Sequence, residues 1–195
     1  MIENFSLLKN LLKVDERLLV YINHLGAPFM DNFWVYITRM ESWFPVYLLL
    51  ILLFYHLWGW KKAFFIICFI GGLILCVDQS ADLFKYTFKR YRPCHEPSLV
   101  EKIRLIQGMC RGSYGFFSAH SANHFALTVF LGKLFHSFGK HLNFILIFWA
   151  SLVAYSRIYL AAHYPLDVIF GMGAGAVFGY FFGEVCHRKL NFMTR

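Results

Sequence analysis

The sequence predicts an all-α integral membrane protein: a bundle of about five transmembrane helices, preceded by N-terminal amphipathic helices lying at the membrane surface. Composition is the first reason. Of 195 residues, 58% are hydrophobic and 20% aromatic, which suits one domain and is too apolar for an ordinary soluble one. The second is the recurrence of apolar runs at about 43–58, 63–81, 121–138, 142–160 and 165–185. Several fall short of the ~20 residues that cross a hydrocarbon core, but helices extend through their polar ends. The bilayer interior satisfies no backbone hydrogen bond, so no lipid-exposed strand or loop is tolerated within the crossings.

The third is the different character of residues 1–42. Leu7, Leu8, Leu11, Leu12, Leu18 and Leu19 alternate with Lys9, Lys13, Asp15, Glu16 and Arg17, the pattern of a helix lying in the membrane interface. Gly26-Ala27-Pro28 breaks it, and a second mixed helix is expected from Met30 to about Met40. The chain is thus read as surface helices over 1–42 and a transmembrane core over 43–195. The N-terminus lacks the basic start, short apolar run and small-residue cleavage site of a secretory signal, so no segment is expected to be removed.

With five alternating crossings, Trp58-Gly59-Trp60-Lys61-Lys62, the turn Lys133 to His141 and His187-Arg188-Lys189 lie on one side. The bias of short basic loops assigns that side to the cytoplasm. Lys89, Arg90, Lys102, Arg104 and Arg111 then fall on the opposite side, against the rule, and anion binding accounts for only some of them. The formal charge of +8 does not point to nucleic acid, because no basic stripe accompanies a soluble fold; anionic lipid is the expected partner. Five cysteines include no closely spaced zinc-type pair, so no metal site is expected. Cys94 and Cys110 flank the polar loop near 93–117, where a disulfide or two free thiols fit equally.

Three short stretches carry the polar chemistry. Ionisable side chains within such a chain are costly, which makes them functional candidates. If the second crossing continues helically, Lys85 and Arg92 are i and i+7 on one face and aim at one anion, with Pro93 ending the helix. The bland alternative is a basic run that snorkels to headgroups. Asp78 and Asp82, one turn apart, read as buried partners of cations or of neighbouring helices. Ser118-Ala119-His120-Ser121 precedes the third crossing, so Ser118 suits an N-cap and the free amides of the first turn suit an anion. His120 stands beside them as a general acid, while His124 reads as structural. Arg157 ends the fourth crossing, and His163 and Asp167 begin the fifth, with Pro165 at its first turn. The i, i+4 spacing of His163 and Asp167 lets the carboxylate orient the ring and leaves the other nitrogen as a nucleophile; a structural His-Asp pair is the alternative.

These residues resemble the type 2 phosphatidic acid phosphatase, or lipid phosphate phosphatase, superfamily. Its pattern is Lys, six residues, Arg-Pro; then Pro-Ser-Gly-His; then Ser-Arg, five residues, His, three residues, Asp. Lys85, Arg92 and Pro93 match the first element, and Ser156, Arg157, His163 and Asp167 match the third without a change of spacing. In the middle element Phe117 and Ala119 replace proline and glycine, while Ser118 and His120 are kept.

The resemblance implies a metal-independent phosphatase with no cofactor. His163 would form a phosphohistidine, Asp167 would orient it, and His120 would protonate the leaving oxygen. Lys85, Arg92, Arg157 and the amides of the Ser118-Ala119 stretch would hold the phosphoryl oxygens. Bacterial relatives act on undecaprenyl diphosphate, phosphatidylglycerol phosphate, phosphatidate or lipid A phosphates, and the motifs do not choose among them. Headgroup selectivity is expected in the 93–117 loop and the surface helices. The expected location is the bacterial inner membrane, with the site facing the periplasm or cell exterior. A lipid or phosphate transporter is the alternative, but it would not need two histidines and an aspartate. Haloperoxidase kinship is set aside because those relatives are soluble.

Overall fold

In the computed structural model, which describes residues 2–106, 109–136 and 139–192, each apolar run becomes helical. The order is α1 (Ile2–His24), α2 (Pro28–Thr38), α3 (Phe44–Phe88), α4 (Ala119–Leu134), α5 (Lys140–Tyr159) and α6 (Pro165–Phe192), with short 3-10 turns at Met40–Trp43, Pro93–His95 and Val100–Lys102. No strand occurs among the described residues, only a bridge between Tyr91 and Tyr114. The stretches Met40–Phe88, Lys140–Tyr159 and Pro165–Asn191 are long and apolar enough to cross a membrane. α4 is shorter than expected; positions 137 and 138 of the third run lie outside the described residues.

The two runs expected at 43–58 and 63–81 share α3, which Gly59 divides with φ 73° and ψ 169°. That left-handed φ costs glycine little and a side-chain-bearing residue more. Tyr47, Leu50 and Phe54 of the first arm and Ile67, Ile70 and Ile74 of the second line one apolar cavity. Paired from the outside inward, these positions converge on residue 60, the register of two arms folded back at Gly59. The second arm runs to Phe88 and stops where Lys89 turns left-handed (φ 48°, ψ 33°) and donates its N–H to Lys85 O at 2.9 Å.

The core centres on α4 and α6. Gly171, Gly175, Gly179 and Gly183 recur every fourth residue, which puts them on one face of α6. A Cβ at Gly175 would run into the main chain of Ala122, and one at Gly179 into that of Ala126. Small residues at a membrane-helix interface let backbones approach, and dispersion then replaces the missing hydrophobic drive. Around this contact Phe54, Leu73 and Val77 of α3, Phe130 and Leu131 of α4 and Cys186 of α6 form the main buried cluster.

α1 is amphipathic as expected, yet its inner face is not its leucine face. Leu7, Leu8, Leu11 and Leu18 are exposed, whereas Asp15, Leu19 and Asn23, spaced by four, are buried. Leu19 packs with Ala154, Ile158 and Val168. Asn23 bonds Tyr159 O at 2.8 Å and receives the Arg104 N–H at 2.6 Å. α2 begins at Pro28, two residues before the predicted start, and its Trp34 packs against Tyr159 and Leu160.

Because Gly175 meets main chain and not a flexible side chain, Gly175→Val is expected to force α4 and α6 apart. Overpacking of this kind costs about 1–3 kcal/mol. Thermal unfolding in detergent should show a lowered Tm, while Gly173→Ala, where an added Cβ meets open space, should leave it unchanged.

Candidate active site

The first motif reaches the site by a route the sequence did not suggest. α3 ends four residues before Arg92, so Lys85 and Arg92 do not share a helix face. After Lys89 the chain is extended and pairs with the far side of the loop: Arg92 N–H donates to Ser113 O and Gly115 N–H to Arg90 O, both at 2.9 Å. Arg92 Nε donates to Tyr114 O at 3.1 Å. The left-handed Lys89 makes this reversal possible; an uninterrupted helix would have carried Arg92 past the loop. Lys85 is held by Asp82 at 2.8 Å. Asp82 is exposed, contrary to the expected burial, because it lies on the outer face of α3; Asp78 accepts from Asn123 Nδ2 at 2.8 Å.

The second motif enters α4 through Ser118, a buried N-cap whose hydroxyl accepts from Ser121 N–H at 3.4 Å. Its own amide is already used, donating to the main-chain oxygen of Asp167 at 3.0 Å, so Ser118 contributes no free amide to an anion. Ala119 stands where the family has glycine and is the first helical residue, a conformation alanine adopts freely. His120 faces the site. His124 bonds back to the His120 carbonyl at 2.8 Å and packs on Trp149.

In the third motif His163 is 2% exposed and Asp167 fully buried. Nδ1 of His163 lies 3.6 Å from Asp167 Oδ2, an ion-pair separation longer than the expected hydrogen bond. That oxygen instead accepts Tyr164 N–H at 3.1 Å. A Cβ built on Gly115 would stand 3.1 Å from Asp167 Oδ2, 3.2 Å from Arg92 Cγ and 3.6 Å from His163 Nδ1; glycine is what lets these three converge.

Arg92, His120 and Arg157 line a cavity of about 980 Å3, walled also by Thr38, Arg39, Glu41, Met109 and Arg111. Arg157 reaches Thr38 Oγ1 at 2.7 Å, and its buried Nε has no hydrogen-bond partner. A buried cationic donor of this kind suits an anion. Lys85, His163 and Asp167 are not among the cavity-lining residues; His163 adjoins the lining arginines, its main-chain N–H donating to Arg157 O at 3.2 Å and its ring sharing the surroundings of Gly115 with Arg92. Burial first, then the fields of Arg92, Arg157 and Lys85, hold the His163 imidazole well below its ordinary pKa.

Two residues that sequence reasoning passed over complete the arrangement. Arg90 donates to Asp167 Oδ1 at 2.7 Å and to Asp15 Oδ2 at 2.6 Å, and stacks 3.9 Å over the Tyr164 ring. Asp15, 3% exposed on α1, also accepts Leu166 N–H at 2.9 Å. Arg90 had left one signal, a cation on the side where the charge rule places few. Asp15 left none, since an acid on an amphipathic helix reads as its wet face.

Cys94 and Cys110 are bridged, with Cα atoms 6.1 Å apart. His95 lies beside them, but both sulfurs are in the disulfide, so the trio offers no thiolate to a metal.

Residues 59–189 match the sequence profile of the PAP2 superfamily. Over 90% of this chain there are two curated relatives named lipid A 4'-phosphatase: one from Porphyromonas gingivalis, 28% identical with 74% of its length covered, and one from Bacteroides thetaiotaomicron, 30% identical with 78% covered. Two crystal structures share the fold. Aquifex aeolicus LpxE has TM-score 0.64 at 24% identity, covering 88% of this chain and 93% of its own. The PAP2-type phosphatidylglycerolphosphate phosphatase of Bacillus subtilis has TM-score 0.69 at 20% identity, covering 92% and 87%.

Removing the Asp15 carboxylate takes a partner from both Arg90 and the Leu166 amide. Asp15→Ala is expected to destabilise the protein by about 1–3 kcal/mol, seen as a lowered Tm. Asp15→Asn, which keeps an acceptor, should lose less.

Proposed function

The chain belongs to the PAP2 superfamily, and on that premise we propose that it hydrolyses a phosphate ester of a membrane lipid, a lipid A phosphate first among candidates, through a phosphohistidine on His163. One observation carries the reading: Arg92, His120 and Arg157 line one cavity, and His163, bonded through its main-chain N–H to Arg157 O, faces a buried carboxylate at 3.6 Å. The choice of lipid A follows the two curated relatives that span most of the chain.

The phosphoryl oxygens meet Arg92 and Arg157, whose planar guanidiniums suit phosphate, while Lys85 acts through its field. In the attacking tautomer the His163 proton sits on Nδ1, toward Asp167. The Nε2 lone pair forms the P–N bond as the lipid O–P bond breaks, and the leaving oxygen takes a proton from His120. Asp167 balances the cationic phosphohistidine. His120 then takes a proton from water, which attacks phosphorus; the P–N bond breaks, inorganic phosphate leaves and His163 is restored. Fixed donors in a site poor in water stabilise the transition-state charge without reorganising. The scheme assigns no step to a metal.

We place the site at the extracytoplasmic face of a bacterial inner membrane, with five crossings. Two cations that opposed this assignment are matched by acids, Arg90 by Asp15 and Asp167 and Arg104 by Asp31 at 2.8 Å, so they add little net charge to that side. A transporter would use the arginines but has no need of the His163 and Asp167 pair.

His163→Ala is expected to abolish phosphate release from every lipid phosphate tested, in a protein that still folds; normal turnover would sink the mechanism. The depressed His163 pKa sets a second expectation. The nucleophile stays neutral below the ~6.5 of an exposed imidazole, so the acid limb of kcat/KM against pH should lie below that value. An acid limb near 7 would contradict a buried nucleophile surrounded by cations.

A further inference from the structure

We propose that Arg39 and Arg111 form a second anion-binding subsite, for a second phosphate carried on the same headgroup as the one removed. This rests on the phosphatase reading above. The cavity of about 980 Å3 is much larger than one phosphoryl group and is lined by four arginines against one carboxylate, Glu41. Arg92 and Arg157 lie inward, with Arg157 buried, while Arg39 and Arg111 are exposed. Arg90 and Arg104 are each engaged by acids. Arg39 and Arg111 have no ion pair among the described residues, Glu41 included, so their guanidiniums are available to a ligand.

Their backbones are nevertheless held relative to the reacting groups. Arg39 caps α2, its N–H bonded to Tyr36 O at 3.3 Å, and follows Thr38, which Arg157 grips at 2.7 Å. Arg111 follows Cys110, whose bridge to Cys94 ties it two residues beyond Arg92. Ser113, two residues further on, accepts the Arg92 N–H. The disulfide thereby fixes one rim arginine against the catalytic arginine, and α2 fixes the other. Two such forks lining one cavity, one from the end of α2 and one from the bridged loop, suit a phosphate separated from the scissile one by the body of the headgroup. A diphosphate differs: its outer phosphoryl is bonded directly to its neighbour and falls within the reach of Arg92 and Arg157.

The test uses the full chain in mixed micelles and three lipids: a glycolipid monophosphate, the same lipid with a second phosphate at the far end of its headgroup, and a lipid diphosphate. Wild type is expected to show a KM about tenfold lower for the bisphosphate than for the monophosphate, the scale of one charge-assisted hydrogen bond at a solvent-facing site. Arg39→Gln with Arg111→Gln should erase that preference while kcat on the monophosphate stays within about twofold. Reduction of the Cys94–Cys110 bridge should weaken the preference in wild type and have no further effect in Arg111→Gln. Equal KM values for the two glycolipids in wild type, or a preference that survives the double variant, would overturn the subsite. So would a diphosphate preference lost in the same variant, which would place the second anion beside the first. Failure of wild type to hydrolyse any of the three while it hydrolyses phosphatidate or phosphatidylglycerol phosphate would overturn the subsite alone, and failure on all five would overturn the phosphatase reading with it.

Discussion

Asp167 is the junction on which the site depends. Its carboxylate accepts Arg90 from the first motif and the Tyr164 amide from the third, and its main-chain oxygen accepts the Ser118 amide that opens the second. Three segments far apart in the chain therefore meet at one residue, and a fourth joins through Arg90 to Asp15 on α1. A buried carboxylate is expensive unless its lone pairs are satisfied; here each oxygen has a donor. Those donors also leave His163 Nδ1 at 3.6 Å, an ion-pair separation, instead of in a short hydrogen bond.

The junction requires α4 and α6 to lie with their backbones almost touching. Lipid offers no hydrophobic force to drive helices together, so close approach has to come from shape. The glycine face of α6 supplies it, and the contact brings the Ser118 cap onto the start of α6 at Asp167. One helix-helix interface thus serves the packing and the candidate site together: the close approach of Ala122 to Gly175 also seats the first turn of α4, with His120, against the start of α6.

Electrostatics then divides the cations by purpose. Arg90 and Arg104 are consumed in ion pairs that tie α1 and α2 to the rest of the fold. Arg92 and Arg157 carry their charge into the cavity with no ion pair among the described residues, and the low dielectric strengthens that charge. The same field, added to burial, holds the His163 imidazole well below its ordinary pKa. Glu41 is the one carboxylate among the residues that line that cavity, which leaves the space suited to a strongly anionic headgroup.

Much of this was legible in the residues alone. Apolar run lengths located the helices of the core, since a bilayer admits few other structures, and the motif spacing named Lys85, Arg92, Ser118, His120, Arg157, His163 and Asp167 as candidates, of which Arg92, His120 and Arg157 line one cavity. Local pattern could not say where α3 would stop: nothing in Phe88-Lys89-Arg90 marks a left-handed residue, and the expectation of a helix through Arg92 followed. It also could not reveal Asp15. Helical periodicity reports which residues share a face, not what that face meets, and α1 turns Asp15, Leu19 and Asn23 inward because partners from α5, α6 and the loop satisfy them there. Sequence by itself determined the membrane class and the chemical inventory, which depend on composition and short spacings. Only the tertiary structure decided which cations bind acids and which face the cavity, because that depends on contacts between residues as far apart as Asp15 and Leu166.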